Sequence, residues 1–336
     1  MRSTARDVAK MAGVSISTVS RALSAPQKVA TGTRQKVEQA ARTLGYDPNL
    51  AARELATGRT GNLGLVIPDL ENPFFASVTK AVQARARAAG HAVFVADTDE
   101  DTHQEPRLVR SLARQVDGVI LCAPRVTDAE LAALEAAAHT RMILINRTCG
   151  DMPSVTADHV DGVRQALRHL RALGHRHIAY AGGPSRSWAD QQRRAGLTTA
   201  AEELGDVTVD DLGAFAPVFS GGMAAADLVL ASGATAVLAY NDLMAIGLLA
   251  RARERGVEVP GELSVVSFDD IPLAVAVSPA LTTVAVPVGM LARTAVDLLT
   301  EMIDEERTGA VGPPARRSRL DLPVELKVRG TTGPRR

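Results

Sequence analysis

Four residues near the start of the chain, Ile16, Ser17, Ser20 and Arg21, have the types and spacing to read a polyanion. On a helix these positions share one outward face. Short hydroxyls reach phosphates and base edges. An arginine fork pairs with guanine O6 and N7, and an aliphatic side chain touches the thymine methyl. The competing account is an ordinary helical module with a solvated face. Farther along, Asp69, Asn146, Asn241 and Asp269 each end an apolar run. Carboxylates and amides so placed accept and share hydrogen bonds from a polar ligand, and Arg193 can clamp one more group.

This is binding chemistry rather than bond-making chemistry. The chain has no P-loop, no G-x-G-x-x-G after a strand-like run and no G-x-S-x-G elbow. The adjacent pair Asp269-Asp270 suits ligand binding as well as acid–base work. His175 and His177 stand at i, i+2, a poor metal spacing. No catalytic residue, metal or cofactor is therefore expected. Cys122 and Cys149 fall at predicted strand ends and are expected to stay reduced. With six Phe, three Tyr and one Trp in the whole chain, Phe74, Phe75, Trp188 and Phe215 stand out in predicted loops or helix starts after strands. There they could stack on the apolar face of a ligand ring; filling the core is the competing account for each.

The elements that must position these residues differ along the chain. The 336 residues carry no net charge, yet residues 1–60 hold ten Lys/Arg against four Asp/Glu, and the remainder 28 against 34. That asymmetry fits a small basic module for a polyanion joined to a neutral-to-acidic body. The opening residues lead into no apolar signal region, and no apolar run has membrane-spanning length, so a cytoplasmic protein is expected.

In the basic part, Thr4-x-x-Asp7 predicts a capping box for a first helix with Val8, Met11 and Ala12 inward. Gly13 permits a tight turn, and Ser15 caps a second helix with Val19, Ala22 and Leu23 inward. Thr31 is expected to cap a third helix, with Val37, Ala40, Ala41 and Leu44 inward and Gly45 as C-cap. This is a helix-turn-helix head over 1–46. Residues 47–61 follow as a hinge: Leu50–Leu55 could form a short helix only against a partner, with Leu55 as a minor-groove wedge. A flexible linker is the alternative.

The body, 62–336, alternates apolar runs with helical stretches. The runs 63–68, 92–97, 117–123 and 141–146, then 177–183, 235–241 and 263–270, predict buried parallel strands in two doubly wound lobes. Ligands of such sheets sit beyond the carboxyl ends of strands, which is where the polar residues fall.

At this point the residues form a pattern. "DVAKMAGVSISTVSRAL" and "VATGTRQKVEQAARTLGYDPNLAARELATGRT" resemble the head and hinge of the LacI/GalR family of bacterial repressors. "IPDLENPFF", "HLRALGHRHIAYAGGP", "RRAGL", "YNDLMAIGLLARARERGVEVPGELSVVSFDDI" and "PALTTV" resemble its effector domain, which is similar to periplasmic sugar-binding proteins. The resemblance implies operator contacts from Thr4, Ser15, Ile16, Ser17, Ser20, Arg21, Thr33, Tyr46 and Asn49. It implies that Ala52 and Leu55 are the hinge residues, with Leu55 intercalating. It implies an effector gripped by Arg193, hydrogen-bonded by Asn241 and Asp269, with Phe215 as pocket aromatic and Phe74, Phe75, Asn146 and Asp158 at further pocket positions. Two departures bear on the ligand: Ser267 replaces the Gly that usually precedes "FDD", and the loop 185–192 does not follow the commonest pattern.

The family chain crosses between lobes three times. The first lobe is then expected over about 62–158 and 287–320 and the second over 159–286 and 321–332, with "LDLPVELKVRG" finishing in the second. No leucine heptads follow, so a homodimer is expected, bound to near-palindromic double-stranded DNA and controlled by a small molecule, most simply a sugar or sugar derivative. A transporter's solute-binding protein and an enzyme on a doubly wound sheet are the competing classes. The basic head and the missing signal region count against the first, the missing nucleophile and phosphate motifs against the second.

Overall fold

The computed structural model describes residues 3–24, 29–46, 59–138, 140–308 and 319–335. The chain divides into two compact units, Met1–Gly61 and Asn62–Arg336. Asn49, Ala52, Leu55 and the expected hinge helix lie outside the described residues.

Among its described residues the first unit has three helices, α1 (Ala5–Ala12), α2 (Ile16–Ser24) and α3 (Thr31–Thr43). The capping box forms as expected. The Thr4 N–H and hydroxyl donate to Asp7 Oδ2 at 2.9 and 2.7 Å, and the Asp7 N–H donates back to Thr4 Oγ1. Gly13 ends α1 at φ +67°, a left-handed conformation that glycine adopts without a Cβ penalty. Ser15 Oγ then accepts the Thr18 N–H at 3.1 Å and caps α2.

Val8, Ala9, Val19, Ala22, Val37, Ala40 and Ala41 form the core of the head, with Leu23, Leu44 and Tyr46 packed around it. Two expectations need correction. Met11 is 51 % exposed, because α2 and α3 pack on the side of α1 that carries Val8 and Ala9. Thr31 is the first helical residue and not the cap; Ala30 precedes it without a side-chain bond. Gly45 lies just past the cap Leu44, at φ +56°.

The second unit is built of two parallel-rich sheets. In chain order its elements are β1 (Asn62–Ile67), α4 (Pro73–Ala88), β2 (Ala92–Asp97), α5 (Glu105–Ala113), β3 (Gly118–Cys122), α6 (Asp128–Ala137), β4 (Arg141–Ile145) and β5 (Ser154–Ala157). There follow α7 (His159–Ala172), β6 (His177–Gly182), α8 (Trp188–Leu204), β7 (Thr208–Ala214), α9 (Phe219–Ser232), β8 (Ala236–Ala239), α10 (Asp242–Glu254) and β9 (Ser264–Asp269). A short 3-10 turn (Pro272–Val275), β10 (Thr282–Ala285), α11 (Val288–Thr308), β11 (Arg319–Leu322) and β12 (Glu325–Lys327) complete it.

The first sheet runs β11-β5-β4-β3-β1-β2, parallel throughout. The second runs β12-β10-β9-β8-β6-β7, with only β12 antiparallel. All seven apolar runs are strands, but β2 is an edge strand and not a buried one: Phe94 and Val95 are 44 % and 36 % exposed. Five strands carry no strong apolar run: β5, β7, β10, β11 and β12.

Three crossings join the lobes, at 157–159, 286–287 and 323–324. The third is later than expected. Leu320–Leu322 pairs with β5 in the first sheet, and only β12 reaches the second. The first and third crossings lie side by side, since the Asp158 N–H donates to the Leu322 carbonyl at 2.9 Å. Crossover helices cover both faces of the first sheet. Leu63, Ile120, Ile143 and Leu299 fill one side of the first, and Val119, Leu121, Leu131 and Leu144 the other. Among the described residues no helix is long and apolar enough to cross a membrane.

Candidate functional site

In the head, α2 presents the predicted face. Ser15, Ile16, Ser17, Ser20 and Arg21 are all exposed, Ile16 by 46 %. The N-terminus of α2 gathers hydroxyls: Ser15 Oγ lies 2.8 Å from both Ser17 Oγ and Thr18 Oγ1. The positive end of the helix dipole and these donors suit an anion. Thr4 is exposed, while Thr33 is half-buried and Tyr46 packs partly into the core.

In the body, the polar residues gather beyond the carboxyl ends of the strands. From the first lobe come Asp69 after β1, Asn146 after β4 and Asp158 at the first crossing. From the second come Phe215 after β7, Asn241 after β8 and Asp269 at the end of β9. Arg193, one turn into α8, is 3 % exposed. Its guanidinium stacks 3.9 Å above the Phe268 ring and 4.7 Å from the Tyr240 ring. It donates to the Tyr240 carbonyl and stands 3.9 Å from Asp269 Oδ1.

The neighbouring arginine behaves differently. Arg194 is bound to Asp190 at 2.6 Å and to Asp211, a structural pair of ion bridges. Arg193 is thus the guanidinium with capacity left for a ligand. Asp269 sits at φ +115°, a region that side chains other than glycine rarely adopt. Burial pushes its carboxyl well above the usual range, against the pull of Arg193.

The other expected residues are partly committed to the fold. Asn241 caps α10: its Oδ1 accepts the Met244 N–H at 2.9 Å and its Nδ2 donates to the Pro217 carbonyl at 2.8 Å. That uses two of the four bonds an amide can make. Asn146, at φ +50°, accepts the Ala157 N–H at 3.0 Å. Asp158 caps α7 through the Asp161 N–H at 2.8 Å. Asp69 accepts the Glu71 N–H at 2.7 Å, while burial pushes its carboxyl up. Phe215 is half-buried. Phe74 and Phe75 are 6 % and 5 % exposed, edge to face at 5.2 Å in the core of the first lobe, which fits the core-filling account.

Sequence reasoning missed several members of the same region. Arg125, beyond β3, is 3 % exposed and makes a two-pronged pair with Glu100 at 2.7 and 2.8 Å. Burial disfavours its charge, but Tyr240 of the second lobe and Glu100 more than offset this and raise its pKa. The Tyr240 phenol also lies 2.9 Å from Ser187 Oγ. His159 and Phe268, also missed, make a ring cluster beside Arg193 with Trp188, which the sequence had singled out.

The departure at Ser267 has a structural counterpart. Asp242, fully buried at the start of α10, accepts from Ser267 Oγ at 2.5 Å, Thr283 Oγ1 at 2.7 Å and the Ile271 N–H at 2.8 Å. Burial still pushes its carboxyl up to about 6. The two cysteines are buried, Cys122 at the end of β3 and Cys149 not in a strand but in the loop after β4, 3.5 Å from the Asp128 carbonyl. Burial pushes the Cys122 thiol up to about 12, so it is inert. Among the described residues no group of His, Cys, Asp and Glu could hold a metal.

A basic helix-turn-helix head joined to a two-lobed α/β body defines a ligand-responsive transcriptional regulator. Residues 4–49 match the family described as bacterial regulatory proteins of the lacI family, and residues 167–332 match a periplasmic binding protein-like domain. The chain is 34 % identical over 345 residues to the HTH-type transcriptional regulator DegA of Bacillus subtilis (strain 168), covering 99 % of each. It is 36 % identical to GalS of Salmonella typhimurium, covering 88 % of each. The lac repressor dimer bound to operator and the anti-inducer ONPF superposes with a TM-score of 0.84 at 29 % identity, over 99 % of this chain and 100 % of that one. The regulator CelR in complex with cellobiose gives 0.72 at 30 % identity, over 98 % and 100 %. The chain belongs to the lacI family of bacterial regulators. It is a DNA-binding transcriptional regulator, and its relatives are regulators rather than enzymes.

Proposed function

We propose that this protein is a homodimeric repressor whose grip on a near-palindromic operator is set by a sugar or sugar derivative bound between its lobes. The observation that carries the ligand reading is Arg193, a buried guanidinium stacked on Phe268 with Asp269 alongside. Asn241, Asp158, Asn146, Asp69 and Phe215 surround the remaining polar edges of the ligand, and Phe74 and Phe75 back the first lobe. The exposed hydroxyl-and-arginine face of α2 supports major-groove reading by Ser15, Ile16, Ser17, Ser20 and Arg21. Thr4, Thr33, Tyr46 and Asn49 hold the backbone, while Ala52 and Leu55 of the two chains engage the minor groove.

Pairing through the bodies sets two heads one helical turn apart. The apolar, exposed Phe94 and Val95 on an unpaired sheet edge support that pairing. Ligand closes the lobes and changes hinge spacing in the dimer. A coupling of about 1–3 kcal/mol alters operator affinity by roughly 5- to 150-fold, reciprocally.

The test selects operator duplexes from random DNA with the full-length protein and then follows binding by anisotropy. Arg193→Ala is expected to bind operator normally and ignore every sugar to which the wild type responds. Leu55→Ala is expected to lose specific affinity and keep the response. A wild-type response retained by Arg193→Ala removes that residue from the pocket.

A further inference from the structure

His159 opens α7 immediately after the first crossing between lobes, and it is 2 % exposed. Its ring lies edge-on to Trp188, centres 6.0 Å apart, and tilted to Phe268 at 6.3 Å. Neither Nδ1 nor Nε2 has a hydrogen-bond partner among the described residues. Buried polar groups are nearly always paired, since an unpaired one forfeits the hydrogen bonds it had in water. The second unpaired group stands on the same aromatic wall: Arg193 covers Phe268, and its Nε is also buried without a partner.

Burial, and then the charge of Arg193, keep the imidazole neutral. The positive end of α7 acts in the same direction. A neutral imidazole offers one donor and one acceptor. Its ring neighbours are Trp188 and Phe268; Arg193 lies over the same Phe268 ring, with the Asp269 carboxyl 3.9 Å from that guanidinium. Adjacent hydroxyls on a hydrocarbon ring complement this set, because each hydroxyl donates and accepts. A bare phosphate or carboxylate satisfies Arg193 but offers no donor to the imidazole lone pair.

We propose that His159 reads one hydroxyl of a polyhydroxylated effector, next to the group held by Arg193 and Asp269. This rests on the body being the effector domain.

The test uses full-length protein and isothermal titration calorimetry with D-ribose, D-glucose, D-galactose and cellobiose, followed by monodeoxy analogues of whichever sugar binds. His159→Phe keeps a ring and removes both nitrogens; His159→Gln restores a donor and an acceptor. Wild type is expected to bind at least one sugar. His159→Phe is expected to lose about tenfold or more in affinity, and His159→Gln less. One deoxy analogue is expected to bind wild type and His159→Phe alike, because it lacks the hydroxyl being read. Should His159→Phe not fold, a loss in His159→Gln that disappears for one deoxy analogue carries the same support. Equal affinity of wild type and the folded variants for the bound sugar overturns the assignment, and so does failure of wild type to bind any of the four. Operator binding measured on the same preparations separates the two readings. Intact operator binding with either negative result sinks the His159 inference alone, whereas loss of operator binding by wild type sinks the regulator reading.

Discussion

At the residue scale, the chemistry lies in neighbours that the chain treats oppositely. Arg194 spends its guanidinium on Asp190 and Asp211, while Arg193 lies on an aromatic face with donor capacity left over. Asp269 was legible because it ends an apolar run, and Arg193 because it stands in the RRAGL stretch that carries part of the family resemblance. His159 and Arg125 were not. A buried polar residue leaves no periodic mark, and its partners are defined only once two distant loops meet. His159 also predicts a pH effect. In the folded chain burial and Arg193 hold its pKa well below 6.5, whereas the unfolded imidazole titrates near 6.5. The unfolded state therefore takes up a proton that the folded state refuses. This contribution to stability is fully present above pH 6.5 and is lost as pH falls below it, by up to about tenfold in the folded-to-unfolded ratio per pH unit. Urea titrations from pH 7.5 to 5 are expected to show a flatter acid limb for His159→Gln than for wild type. Parallel limbs would mean that the imidazole is protonated in the fold.

At the element scale, the strands that sequence reveals and those it hides differ in physical situation. β1, β3 and β4 are covered on both faces and read as nearly unbroken apolar runs, and β9 is covered too, its valines and Phe268 interrupted by Ser267. β5 and β10 have four residues each, too few for a pattern, and β7, β11 and β12 lie at or beside sheet edges where polar side chains cost little. Helix packing in the second lobe is legible only in space. A Cβ on Gly222 would lie 1.9 Å from the Met244 carbonyl, and one on Gly247 2.0 Å from the Phe219 carbonyl, so α9 and α10 meet backbone to backbone. Gly247→Ala is expected to destabilise the protein by about 1–3 kcal/mol through overpacking, despite alanine's better helix propensity. Thermal unfolding of the variant checks this; an unchanged or raised midpoint would show that the helices separate freely.

At the scale of the whole molecule, the unpaired edge at β2 connects fold to assembly. A long exposed apolar edge is a liability unless it is covered. If the chain pairs as proposed, Phe94→Lys is expected to turn that dimer into a monomer in sedimentation at micromolar concentration. Operator affinity is then expected to fall, since a single head forfeits the benefit of tethering. A dimer that survives the substitution places the interface elsewhere.

The late third crossing also bears on how the protein is made. Both sheets are completed from the last stretch of chain: β11 closes the edge of the first beside β5, and β12 closes the second beside β10. The three-helix head, by contrast, draws its whole core from residues 8–46. On the ribosome the head can fold while most of the chain is still unwritten, whereas the first sheet lacks its last strand until residue 322 has emerged and the second until residue 327. A message broken before that point leaves a head that can fold attached to a body that cannot complete its sheets.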